Sequence, residues 1–411
     1  MVLFTAAIIL ALSFLGDMLS RKVMLPSVIL LIVFGLLFGP LFGPLLGLDR
    51  SSLVDVLPLL ASLTLIFVAF DAGAHMNIRE VMAQSYRALV LSILGFILST
   101  TAIGFFLHFA FSLRLAYSFL LSSAWAGVNT ATVVAVSRHL SISGKTLTTL
   151  TISSLIDDII VLVTALTILS YITVGGTGFD VISLTLIRNI CVSVFVGVIV
   201  GIAWLNILHL SGRGEFTFTF TLAAVFLLYS GTEMLGGTGA IAVFLFGLIL
   251  GNSESLCESL KMRVDIGQLS RLKKSIVKFH SELTFILVAF FFTFIGLIYV
   301  FTGIFDLVIG LIISLLLHGI RYITFSIGTW RSDLAADLPA VGFIVGKGAT
   351  SATVSILPLA YGLPNTTMFT SIALNVILFT NILSILLPYL AFHASATKKG
   401  IMREMPSFHG A

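Results

Sequence analysis

Charge is what this chain has least of. Only 10% of its 411 residues are Asp, Glu, Lys or Arg, against 58% apolar, and the mean hydropathy is +1.15. A soluble domain carries roughly 25% charged residues, so a fully wetted surface is excluded and a polytopic membrane protein is implied. Cysteine is nearly absent. Cys191 in an apolar run and Cys257 in a polar connection offer no disulfide framework and no metal site, and both read as free thiols. The small basic excess, +4, sits at the ends of apolar runs instead of on one face, so no nucleic-acid partner is implied. The first apolar run, Val2 to Leu19, has no basic residue ahead of it and no small-residue cleavage site. It reads as a retained helix, not a signal peptide.

At about 20 apolar residues per span, about thirteen candidate helices fit the chain: 3–19, 26–46, 53–74, 88–111, 115–136, 146–172, 181–210, 217–233, 238–251, 282–301, 307–330, 338–361 and 368–392. The eighth and ninth are short, and Gly236-Gly237-Thr238-Gly239 between them suits a tight turn or a re-entrant stretch. One long hydrophilic connection, Asn252 to Lys278, carries six basic residues. It reads as a basic cytoplasmic linker, with contact to anionic membrane lipid as the sharper alternative. The chain then divides into the first nine helices (1–251), the linker (252–278), helices ten to thirteen (279–392) and a short cytoplasmic tail (393–411), with no appended nucleotide-binding or regulatory domain expected. Arg21, Lys22, Arg79, Arg87, Arg138, Lys145, Arg213, the linker cations (Lys261 and Arg263 among them), Arg331, Lys398, Lys399 and Arg403 fall on one side of the membrane. Arg50, Arg114 and Arg188 fall on the other. Basic residues mark the inside, which puts the N-terminus outside and the C-terminus in the cytoplasm of a multi-pass plasma-membrane protein.

The chain repeats itself. Leu63 to Phe70 (LTLIFVAF) matches Leu283 to Phe290 (LTFILVAF) at an offset of 220, Phe34 to Gly39 matches Phe246 to Gly251 at 212, and Thr130 to Val133 matches Ser351 to Val354 at 221. The matches pair helices two, three and five with nine, ten and twelve. A shift by an odd number of helices makes the copies enter the membrane in opposite senses, the inverted-repeat plan of secondary transporters. The repeats cover helices one to six and, after a linking seventh helix, the remainder.

Within this apolar frame, Thr151 to Leu162 (TISSLIDDIIVL) holds the adjacent acids Asp157 and Asp158. A carboxylate at the centre of a membrane helix costs roughly 2.5–3.5 kcal/mol on insertion scales, so such acids face a water-filled cavity or a basic partner. Neighbouring residues on a helix point about 100° apart, so one acid can face a cavity while the other faces a helix. The fifth helix contains Gly127-Val128-Asn129-Thr130-Ala131-Thr132 and the twelfth Gly346-Lys347-Gly348-Ala349-Thr350-Ser351. Small and hydroxylated residues also serve ordinary helix packing. At repeat-equivalent positions they suggest interrupted helices that cross near the midplane and present half-helix ends to an ion. Lys347 would then offset carbonyl ends and nearby carboxylates. Arg321 lies too deep in the eleventh helix to reach the surface and needs an acid partner. Asp157 is the proposed partner, which leaves Asp158 for the ion; Glu282 and Asp306 are the alternatives. Asp17, Asp71 and Glu233 read as interfacial or structural acids. His108, His209, His280 and His318 read as lying mainly near span ends and show no metal-ligand spacing, with His280 or His318 open to a role in pH response.

These residues resemble the cation:proton antiporter superfamily, the sodium/proton exchangers and their potassium/proton relatives. Most of the chain takes part. Leu25 to Pro40, Phe67 to Gly73, Gly239 to Gly251 and Phe290 to Gly296 are similar to its signatures, and TATVV followed by LIDD is similar to its double-aspartate branch. The resemblance implies an all-α fold of about thirteen helices with a dimer-forming panel, a mobile core and the crossed helices five and twelve. It also implies a homodimer, competitive binding of a cation and a proton at Asp158, and a helix-eleven base paired with Asp157. Double-aspartate members commonly have lysine where Arg321 stands; arginine cannot release its proton, so the proton count stays open.

The expected function is secondary antiport of Na+ (Li+ or K+ as alternatives) against H+ by alternating access. Asp158 would hold either a proton or the dehydrated cation, and Asn129, Thr130 and Thr132 would supply oxygens suited to a hard ion. An empty, charged Asp158 resists crossing, which enforces exchange. No cofactor is expected. The rival readings are a sodium-coupled symporter of a small organic solute on the same scaffold and an aspartyl intramembrane protease. The adjacency of the two acids and the absence of a Gly-x-Gly-Asp pattern at either argue against the protease.

Overall fold

Backbone in hydrocarbon must satisfy its own hydrogen bonds, and the apolar runs of this chain do so as helices. The computed structural model describes residues 27–46, 50–78, 86–137, 140, 142–174, 179–210, 217–259, 266–299, 303–363 and 366–398, with scattered positions between 7 and 19. Among the described residues there is no strand. From residue 27 on, the described residues form, in order, α1 (Ser27–Leu46), α2 (Arg50–His75), α3 (Tyr86–Phe111), α4 (Leu115–Ala126), α5 (Thr130–Ser137), α6 (Gly144–Val174), α7 (Phe179–Leu210), α8 (Thr217–Met234), α9 (Gly239–Gly251), α10 (Ser253–Ser259), α11 (Ile266–Ile298), α12 (Ile304–Gly328), α13 (Leu338–Val341), α14 (Ala349–Ala360) and α15 (Thr366–Lys398), with a 3-10 turn at Asp333–Asp337.

Each predicted span from the second to the thirteenth has a helical counterpart, and the described positions of the first, 3–19, are helical. Among the described residues six helices are long and apolar enough to cross a membrane alone, or seven if α9 and α10, bent by 75°, count as one span. The fifth and twelfth spans are each broken, into α4 with α5 and α13 with α14. Of the basic residues used for topology, Arg21, Lys22, Arg79, Arg138, Arg213, Lys261, Arg263, Lys399 and Arg403 lie outside the described residues, as does the tail beyond Lys398.

The Gly236–Gly239 stretch is a tight turn, closed by Gly237 N–H to Thr232 O at 2.9 Å. The linker stretch differs more. Its second half is helical and belongs to α11, because Leu269 and Ile276 recur at helical spacing and are buried while Arg271, Lys274 and Lys278 stay exposed.

The helices pack in two groups. α2 lies against α9 and α11, and α1 against α11; α3 packs on α4, α6 and α12, and α12 on α15. The half-helix α14 touches α2 on one side and α4, α6 and α15 on the other, so it stands at the seam. Lipid tails are as apolar as leucine, so close packing must hold such helices together in place of the hydrophobic effect. Gly73 of α2 shows this: a Cβ there would strike the carbonyl of Phe244 and come 2.8 Å from the Leu248 nitrogen on α9.

Candidate ion-binding site

The two breaks meet. α4 ends at Ala126, Gly127 turns to extended backbone, and α5 restarts at Thr130; on the other strand of the crossing, residues 342–348 separate α13 from α14. Asn129 N–H donates to Gly346 O at 2.9 Å, so the interruptions hydrogen-bond each other. Asn129 also caps α5, its Oδ1 accepting the Thr132 N–H at 3.2 Å. Its side chain fills the space where a Cβ on Gly348 would stand, which is why that position is glycine.

The carbonyl end of α4 carries a partial negative charge. Lys347, fully buried, donates from Nζ to Gly127 O there. Asn381 of α15 braces both breaks. Its Nδ2 donates to Lys347 O at 2.8 Å, and its Oδ1 accepts the Thr132 hydroxyl at 3.0 Å. Ser384, one turn on, accepts Val345 N–H at 2.8 Å.

The acids sit midway along α6 and face different ways. Asp157 is 3% exposed. It accepts the Val128 N–H at 3.2 Å and lies near Ser92, whose hydroxyl donates to Ser153 O at 2.7 Å, and the cations acting on it are Arg321 and Lys347. Asp158 is half-buried and shares its cavity with Thr350, in the first turn of α14, whose hydroxyl lies within reach of its carboxylate. It lines a cavity of about 210 Å³, counted with its open mouth, walled by Val68, Ala69 and Ala72 of α2, Phe244 of α9, and Ile159 and Leu162. The N-terminus of α14 favours a negative group by its dipole. A lone carboxylate beside a hydroxyl and a helix terminus, open to a narrow cleft, can hold a proton or a hard cation.

The structure thus brings together Asp157, Asp158, Asn129, Lys347 and Arg321. Among the described residues Arg321 has no ion pair: its Nε and Nη2 have no hydrogen-bond partner, and its charge reaches Asp157 without direct contact. The alternative partners fail on geometry. Glu282 pairs with Lys278 at 4.0 Å, and Asp306 lies near the other end of the same helix, about 22 Å away by helical rise. Thr130 bonds Ser154 at 2.8 Å and Thr132 bonds Asn381, so neither hydroxyl is turned to Asp158. His280 and His318 are not near span ends: both are buried within α11 and α12. Among the described residues no group of His, Cys, Asp and Glu has the geometry of a metal site.

Sequence reasoning missed Thr350, Ser92 and Asn381. Thr350 carried a signal, since the repeat offset of 221 makes it the counterpart of Asn129. Ser92 and Asn381 carried none beyond being polar in apolar runs.

The transmembrane sodium/hydrogen exchanger family model matches residues 7–391. A Na+/H+ antiporter of Aphanothece halophytica, ApNhaP, is 27% identical over 239 residues, covering 56% of this chain and 43% of the relative. The K+/H+ antiporter NhaP2 of Shewanella sp. strain ANA-3 is 23% identical over 386 residues, covering 90% of this chain and 63% of the relative. The chain therefore spans less than half of the first relative and under two thirds of the second. In fold it is similar to the sodium proton antiporter MjNhaP1 of Methanocaldococcus jannaschii at pH 8, with a TM-score of 0.73, 19% identity, and 98% of this chain and 99% of that chain covered.

Proposed function

The chain belongs to the transmembrane sodium/hydrogen exchanger family, and from that premise we propose that it exchanges a monovalent cation for protons by alternating access. Na+ is the first choice, with Li+ or K+ as alternatives; relatives named for sodium and for potassium both match. One observation carries the reading: of two adjacent acids, only Asp158 lines the cavity, while Asp157 is turned to a backbone N–H and two buried cations.

Asp158 is the competitive site. A proton or a cation neutralises it, and the neutral site can pass the apolar walls of the cleft; the bare carboxylate cannot, because desolvating an unpaired charge is too costly. Loaded forms therefore reorient and empty ones do not, which couples the two fluxes. Asp157, Lys347 and Arg321 act as fixed charges that balance the crossing. The Thr350 hydroxyl supplies a further oxygen.

The distribution of basic residues supports an outside N-terminus and a cytoplasmic C-terminus. The homodimer that the resemblance implies is part of this reading.

The test uses everted vesicles or proteoliposomes with a pH-sensitive dye. Na+, Li+ or K+ should release protons in the wild type and not in D158N. If D158N exchanges at the wild-type rate, Asp158 is not the site. If no cation moves protons in the wild type, a sodium-coupled symporter takes its place.

A further inference from the structure

Glu233 takes no part in the site above, yet it stands in a second cavity, about 380 Å³ with its open mouth. Tyr229 and Glu233 of α8, Ser170 and Thr173 of α6, Tyr361, and Thr238 ahead of α9 supply its polar lining. Glu233 Oε1 accepts the Gly239 N–H at 2.7 Å, and both tyrosines lie within range of its charge. No described cation forms an ion pair with it; Arg188 packs behind the turn, against Gly236.

The same four helices line this cavity and the one at Asp158. α2 contributes Leu65 here and Val68 to Ala72 there; α6 contributes Leu166 to Thr173 here and Asp158 to Leu162 there. α9 gives Ala240 against Phe244, and α14 gives Leu357 against Thr350. The displacement runs toward the N-termini of α2 and α9 and the C-termini of α6 and α14. The cavities are therefore stacked along one cleft, with about 18 Å of helix rise from Asp158 to Ser170. Leu65 and Leu166, which wall this cavity, and Leu162, which walls the one at Asp158, are members of one apolar core. The Glu233 end of the cleft is opposite the end of α6 where Lys145 meets Asp333.

We infer that the Glu233 cavity is a vestibule that gathers the monovalent cation on the outer face. One carboxylate and the surrounding hydroxyls offer hard oxygen ligands to an alkali ion. Low-dielectric walls focus the carboxylate's field and raise the local cation concentration. The ion waits there until these leucines part, then passes to Asp158. This inference rests on the exchanger reading above.

E233Q tests it in right-side-out and everted membrane vesicles. Glutamine still accepts the Gly239 N–H, so the turn survives while the charge is lost. The probe is whichever of Na+, Li+ and K+ drives the wild type. Its apparent KM from the outer face should rise about three- to tenfold, with Vmax and the cytoplasmic-face KM unchanged. Added N-methylglucamine chloride should shrink the difference by screening. A shift confined to the cytoplasmic face, an equal shift on both faces, or no shift overturns the vestibule alone. A wild type that moves no protons with any of the three cations overturns the exchanger reading and this one with it.

Discussion

Gly348 is held to glycine by one neighbour, the Asn129 side chain. A methyl group there must push apart two breaks that hydrogen-bond through Asn129 and Gly346. Overpacking of a tight interior costs about 1–3 kcal/mol, and here it falls on the crossing itself. G348A should therefore lower the unfolding midpoint in detergent and reduce exchange. N129S adds room and keeps a capping oxygen, so N129S/G348A should recover most of the lost stability. A G348A protein as stable as wild type would show that the crossing has slack. The acids were legible in the sequence because a charge inside an apolar run demands a reason. Ser92 and Asn381 were not, since hydroxyls and single amides are routine in membrane helix packing, and only the fold places them beside Asp157 and the breaks; Thr350 was legible only through the repeat that makes it the counterpart of Asn129. Arg321 was legible as a buried charge, but that it makes no ion pair with Asp157 was not.

The spans themselves follow from hydropathy, and the two breaks follow from small residues recurring at equivalent places in the repeat. α11 shows where that method stops. Its apolar run opens at 282, yet the helix opens at Ile266, because an amphipathic stretch has the period of a helix without the mean hydropathy of a span. That extension is fastened by Lys273, which meets Glu254 of α10 at 2.9 Å and Gly251 O at 3.3 Å. Hydrogen bonds from Lys273 and Ser270 hold the Glu254 carboxyl below its usual range. A carboxyl depressed by folding adds stability above its unfolded pKa, about 4.3, and loses it as pH falls through the folded value. Glu254 is 38% exposed, so the pair contributes at most about 1 kcal/mol. E254Q should thus unfold slightly earlier than wild type at neutral pH, and the gap should close below about pH 4. A gap that persists in acid would assign the effect to packing.

The proton count depends on how all the buried charges are shared across the cleft. Asp157, Asp158, Arg321 and Lys347 form one balanced set of two acids and two bases, and the cavity opens on Asp158 alone. If only Asp158 changes its load, one proton leaves for each cation that binds, and exchange moves no net charge. A potassium diffusion potential set with valinomycin should then leave the rate of Na+-driven proton movement unchanged. The one group that could alter this is Lys347: its charge reaches both acids, and a lysine, unlike Arg321, can give up its proton. K347R keeps the charge and removes that option. A wild type and a K347R protein that are equally indifferent to potential support exchange at Asp158 alone. A wild type driven by potential, with K347R indifferent to it, would make Lys347 a second proton carrier and the transport electrogenic. A potential dependence that survives in K347R would instead assign the second proton to Asp157, since Arg321 cannot release one.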